Sequence, residues 1–113
     1  MARYKKINMI KKILNLFKKN NKEKFNNDLM LSLGQIHSKL NSNMIEKNLN
    51  HFEFKVFSQW GEDGIIDYLI SNLEKKNKTF IEFGVENYSE ANTKFLLLNR
   101  NWSGLILDSS NEN

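Results

Sequence analysis

Two carboxylates and a glycine in the second half of this chain have the types and spacing that could do chemistry. Glu82 lies two residues before Gly84, and Asp108 follows 24 residues after that glycine. Glycine lets a backbone turn and lie against a ligand where a side chain would obstruct it. A carboxylate at the end of the next strand can accept hydrogen bonds from both hydroxyls of a ribose. The same three residues also suit a plainer arrangement, in which Glu82 and Asp108 are strand-end acids in solvated loops. Spacing alone leaves both readings open, since a single glycine is a weak signal.

The elements that must position these residues can be read from periodicity. Phe80, Ile81, Phe83 and Val85 form a short run rich in aromatic and β-branched side chains, broken by Gly84. This pattern predicts a parallel strand buried on both faces. Ser89 or Asn87 can cap a helix, with Glu90 adding negative charge to its first turn. Ala91, Phe95, Leu96 and Leu98 recur at roughly helical spacing, and Asn99 and Asn101 suit a left-handed helix end. Trp102 to Leu107 reads as a second strand ending at an acid. The crossover length fits a parallel pair, whose ligands bind beyond the carboxyl ends of the strands.

Several blocks of text together resemble a known family. They are Phe57-Ser58-Gln59-Trp60-Gly61-Glu62-Asp63-Gly64-Ile65, Phe80-Ile81-Glu82-Phe83-Gly84-Val85-Glu86, Asn92-Thr93, and Asn101-Trp102-Ser103-Gly104 through Asp108. In this order they resemble the start of a class I S-adenosylmethionine-dependent methyltransferase of the FkbM type, over about half the chain. The resemblance implies an α/β chain carrying an incomplete Rossmann-like methyltransferase fold, the first strands and helices of a larger parallel sheet. It implies that Glu82 and Gly84 meet the methionine end of S-adenosylmethionine and that Asp108 takes the ribose. The block from Ser58 to Asp63, with Gln59, would flank the cofactor pocket. One departure stands out: Glu86 and Tyr88 occupy positions where many class I enzymes have further glycines.

The implied activity is O-methylation of a hydroxyl on a sugar or secondary metabolite, with a small molecule or glycan as acceptor. No matching residue supplies a catalytic base. A nicotinamide-dependent oxidoreductase would also place an acid on a ribose, but the G-x-G-x-x-G turn that holds a pyrophosphate is missing. The non-enzymatic alternative is a basic fragment that docks on a membrane or a partner.

Between Ser58 and Lys76, Ile65, Ile66, Leu69, Ile70 and Leu73 share one helical face. Glu62, Asp63 and Asp67 lie towards its start, and Lys75 and Lys76 at its end, the order that suits a helix dipole. The expectation is a helix covering one face of the sheet, its acids favouring the N-terminus. Trp60, which precedes the stripe, could staple the helix or wall a pocket.

Charge divides the chain into unlike halves. Residues 1–50 carry 11 Lys or Arg against 3 acids, and residues 51–113 carry 6 against 10. Such asymmetry predicts a basic helical arm and polar linker (1–50) joined to a methyltransferase-like domain (51–113). Cysteine is absent, which excludes disulfides and thiolate-bound metal. His37 and His51 are too few and too scattered to suggest a metal site, and none is expected.

In the arm, Ile7, Ile10, Ile13, Leu14 and Phe17 recur at helical intervals among Lys5, Lys6, Lys11, Lys12, Lys18 and Lys19. Lys11 and Lys12 interrupt any signal-peptide core, and no stretch approaches a membrane span. The expected location is the cytoplasm. There residues 1–24 could lie peripherally on the inner face of the membrane, dock on a partner, or remain a solvated helix. Nucleic acid is not an expected partner, because no aromatic-interleaved groove accompanies the lysines.

A second helical stretch carries Leu29, Leu33, Ile36 and Leu40 as a seam, followed by a polar linker around 41–52. Phe52 to Phe57 alternates apolar and charged residues, as an edge strand or a lead-in loop with packed aromatics. Residues 51–113 suffice for two strands and two helices, a size at which burial is marginal. The expectation is therefore a truncated fragment, inactive alone.

Overall fold

The computed structural model describes residues 1–74 and 76–109. It is mixed helix and strand: α1 (Ala2–Ser42), a 3-10 turn (Leu49–Phe52), α2 (Glu62–Ser71), β1 (Thr79–Phe83), α3 (Lys94–Arg100) and β2 (Ser103–Leu107). The two strands form a parallel pair joined through α3, as their pattern predicts, with Thr79 opposite Ser103 and Phe83 opposite Leu107. Gly104 faces Phe80, and a Cβ there would overlap the Phe80 ring and carbonyl. The left-handed end of α3 falls on Asn101, at φ 54°. Its start differs from expectation. Thr93 occupies the N-cap position, while Asn87 instead accepts the Ser89 amide at 3.0 Å in a local turn.

The basic arm and the second helical stretch are one unbroken helix of 41 residues, about 60 Å long. Residues 20–28 between them are polar apart from Phe25 but contain no proline or glycine, so nothing interrupts the backbone ladder. The expected seam of Leu29, Leu33, Ile36 and Leu40 is exposed. Met30, Leu31, Gly34, Ser38 and Asn41 turn inward instead. Gly34 lets the Phe95 ring lie directly on the helix backbone, and Asn41 donates to the Phe52 carbonyl at 2.7 Å. Close approach and hydrogen bonding select this face over the more apolar one.

The core is aromatic. Residues 53–57 are a lead-in loop rather than an edge strand, and Phe54 and Phe57 point inward from it, as does Phe52 at the end of the 3-10 turn. Phe54, Phe57 and Phe95 cluster with Met30, Leu31 and Val56. Phe54 meets Phe95 edge-on at 5.4 Å, His37 stacks on Phe54 at 5.2 Å, and Phe52 stacks on Tyr68 at 3.6 Å.

Two burial expectations are corrected. β1 is half-covered, not buried on both faces: Phe80 and Glu82 turn inward while Ile81 and Phe83 are 63% and 71% exposed. β2 is exposed throughout. The described sheet has only two strands, and the helical body lies along one side of it. On α2, the buried residues are Asp63, Gly64 and Asp67, and the apolar stripe is partly exposed. Lys76 does serve the end of that helix, donating to the Ile70 carbonyl at 3.0 Å; Lys75 lies outside the described residues.

Candidate functional site

The loop after β1 is wound through three left-handed residues. Gly84, Glu86 and Tyr88 have φ values of 70°, 50° and 61°. Each non-glycine residue held this way costs about 1–2 kcal/mol, and such strain persists only where the surroundings impose it. Glu86 and Tyr88 therefore adopt a conformation suited to glycine. Space above Gly84 is open, with no atom within 4 Å of where a Cβ would stand. Its amide donates to the Leu107 carbonyl at 2.9 Å, which sets Gly84 beside the carboxyl end of β2. Asp108 follows directly, so the glycine and the second acid occupy neighbouring strand ends.

Glu82 has a structural task as well. Its carboxylate accepts the amides of Asn92 at 2.8 Å and Thr93 at 3.0 Å, together with the Thr93 hydroxyl. The Tyr88 hydroxyl bonds that same Thr93 oxygen at 2.7 Å. Burial raises the Tyr88 pKa above the ordinary phenol value, and the Glu82 charge adds to the rise against the opposing bond from Thr93. Tyr88 thus stays protonated, and the chain from Tyr88 through Thr93 to Glu82 ties the strained loop to both β1 and the start of α3. Lys94, next in sequence, covers the Phe57 ring at 4.8 Å; burial lowers its pKa, with Glu23 opposing.

Gln59 reaches the same place from the preceding segment. It lines a cleft of about 220 Å³ together with Glu82, Phe83, Gly84, Glu90 and Asn92. An adjoining cleft of about 320 Å³ runs along Gly84 to Asn87 and Ser89 to Glu90. The segment is fixed there by an Ala91 amide bond to the Phe57 carbonyl at 3.0 Å. Of the four residues singled out by sequence, Gln59, Glu82 and Gly84 share one cleft, and Asp108 stands at the adjacent strand end.

The Ser58 to Asp63 block is held by its own acids. Asp63, 1% exposed, accepts the amides of Val56, Phe57 and Ser58 on one oxygen at 2.7–2.9 Å. Ser58 returns the contact by accepting the Asp63 amide at 3.1 Å. Gly64 makes this packing feasible, since a Cβ there would collide with the backbone of Phe52 to Phe54. Glu62 accepts the Trp60 amide at 2.9 Å. Burial pushes the Glu62 pKa up, but backbone bonds from residues 60–62 and one from Ser58 outweigh it and hold the carboxyl below its ordinary value. Trp60 does not staple the helix: it is 76% exposed.

A second polar centre escaped sequence reasoning. Arg100 at the end of α3 pairs with Asp67 of α2 at 2.8 Å and donates to Ser71 at 2.6 Å, while Ser38 of α1 donates to Asp67 at 2.6 Å. These groups border a cavity of about 550 Å³ where the ends of three helices meet. The available signal was Asp63, Asp67 and Ser71 at successive fourth positions on α2, opposite its apolar stripe. Among the described residues, no three His, Asp or Glu side chains are grouped to hold a metal. No family model, curated protein or solved structure matches this chain.

Proposed function

We propose that residues 56–108 are the cofactor-binding portion of an S-adenosylmethionine-dependent methyltransferase of the FkbM type, acting on a hydroxyl of a sugar or secondary metabolite. The observation that carries this reading is the left-handed loop from Gly84 to Tyr88, with open space over Gly84, beside the carboxyl end of the neighbouring parallel strand, which Asp108 follows. These residues fit the group. The bare backbone at Gly84 and the exposed amide of Gln59 suit the polar methionine end, and the Asp108 carboxylate suits the ribose hydroxyls. When bound, S-adenosylmethionine supplies an electrophilic methyl group on sulfur. The chain's own contribution is placement. Glu82 holds the loop by fastening Asn92 and Thr93, and Asp63 holds the segment that carries Gln59. The two parallel strands and their connecting helix are, on this reading, the opening of a Rossmann-like sheet.

Titration calorimetry of S-adenosylmethionine, using the protein as its complete reading frame encodes it, tests the assignment. Asp108→Ala should weaken binding roughly ten- to hundredfold, the loss of about 1.5–3 kcal/mol in charge-assisted hydrogen bonds. Unchanged affinity removes Asp108 from the site. Tighter binding of NAD than of S-adenosylmethionine replaces the methyltransferase reading with an oxidoreductase.

A further inference from the structure

Residues 2–28 of α1 are exposed throughout, yet their side chains are sorted. Successive residues on a helix turn by about 100°, which between residues 7 and 19 puts every apolar side chain on one half of the circumference. Ile7, Met9, Ile10, Ile13, Leu14, Leu16 and Phe17 lie there, all substantially exposed. Lys11, Lys12, Lys18 and Lys19 occupy the other half with Asn8 and Asn15. Of the nine cations in residues 1–24, Arg3, Lys6 and Lys24 fall within the apolar arc, near the two ends of that stretch, and their long stems can carry the charges outward along an apolar surface.

We infer that this half of α1 is a docking surface for an anionic lipid bilayer, lying in the plane of the headgroups with its apolar half in the acyl boundary. Charge complementarity decides the occupant. Residues 1–24 carry nine Lys or Arg, and the only acid among them is Glu23. A second copy of the helix is the natural competitor, because Ile7, Ile10, Leu14 and Phe17 follow a coiled-coil spacing. That seam ends at Asn21 and Lys24 after two repeats, and Lys6, Lys11 and Lys18 flank it, so two copies would meet like charge. Nucleic acid would satisfy the lysines and leave the apolar half in water. A bilayer of anionic lipid satisfies both halves. No described helix is long and apolar enough to cross the membrane, so the contact is with its surface. The inference is independent of the cofactor assignment.

Flotation of the protein with vesicles tests it. Vesicles of phosphatidylcholine with 30% phosphatidylserine should bind at least about tenfold more protein than phosphatidylcholine alone, and rising salt should weaken the binding. Leu14→Ser with Phe17→Ser should abolish flotation while circular dichroism shows the helix retained, since both side chains are exposed in the fold. Four results would overturn the inference. One is absence of flotation at low salt; another is equal flotation with neutral and anionic lipid. The third is unchanged flotation of the Leu14→Ser/Phe17→Ser variant, with an oligonucleotide bound as tightly as vesicles, and the fourth is dimerisation through this surface. A dimer in sedimentation equilibrium that this variant dissolves would assign the surface to a second copy.

Discussion

The inner face of α2 and the outer face of the two-stranded sheet invert the usual sorting of side chains. Asp63 and Asp67 are 1% and 2% exposed, whereas Ile81, Phe83 and Leu105 to Leu107 stand in solvent. Hydropathy alone would order these residues the other way. What sends Asp63 inside is a backbone arrangement: Gly64 admits the 52–54 segment against α2, and three consecutive amides then converge on one carboxylate oxygen. Asp67 is held by an arginine and a serine from two other helices. The helical side is specified by directional bonds, local ones at Asp63 and ones between elements distant in sequence at Asp67. The sheet is specified by its backbone ladder and the Phe80–Gly104 contact.

That contrast predicts where the chain breaks. Asp63→Ala should have the largest effect, about 3–5 kcal/mol, because three amides lose their acceptor in a buried site. Urea unfolding followed by far-ultraviolet dichroism measures it, and a loss below about 1 kcal/mol would mean that water replaces the carboxylate. Arg100→Met should cost about 2–3 kcal/mol by leaving Asp67 buried without its counter-ion. Adding Asp67→Leu should recover most of that loss, since no buried charge then remains. Failure to recover would show that Ser38 and Ser71 depend on the pair for their own positions.

On the sheet side, Ile81→Thr and Phe83→Thr should change stability by no more than about 0.5 kcal/mol, as threonine fits an exposed strand. Light scattering should show reduced self-association in the same variants, because apolar strand surface is removed. A large loss of stability there would mean that the sheet face is covered in solution, and the comparison with α2 would fail.

The strand–helix–strand unit was legible because short-range signals agree: an aromatic and β-branched run, a crossover of suitable length, and Asn101 at the left-handed helix end. Glu82 and Gly84 could be placed together at the end of the first strand for the same reason, whereas Gln59 joined them only through the family resemblance. The fastening of Glu82 to Thr93 was not visible, since a carboxylate placed for a ligand and one placed for a helix start have the same spacing. The orientation of α1 was also hidden. Its apolar seam promised a buried face, but a glycine under Phe95 and two polar side chains with distant partners decided the contact. The aromatics of residues 52–57 illustrate an intermediate case: alternation identified Phe52 and Phe54 as inward, while Phe57, out of that phase, is buried because the backbone there is a loop.

The two tryptophans fall at opposite ends of the solvent scale, Trp60 at 76% exposed and Trp102 at 7%. Trp60 follows Gln59 in sequence, and its emission is open to a collisional quencher such as acrylamide. Trp102, between α3 and β2, is shielded until the fold opens. The chain therefore carries two separate optical channels. One reports what approaches the surface at the start of α2, the other the integrity of the body behind it, and neither requires an added label.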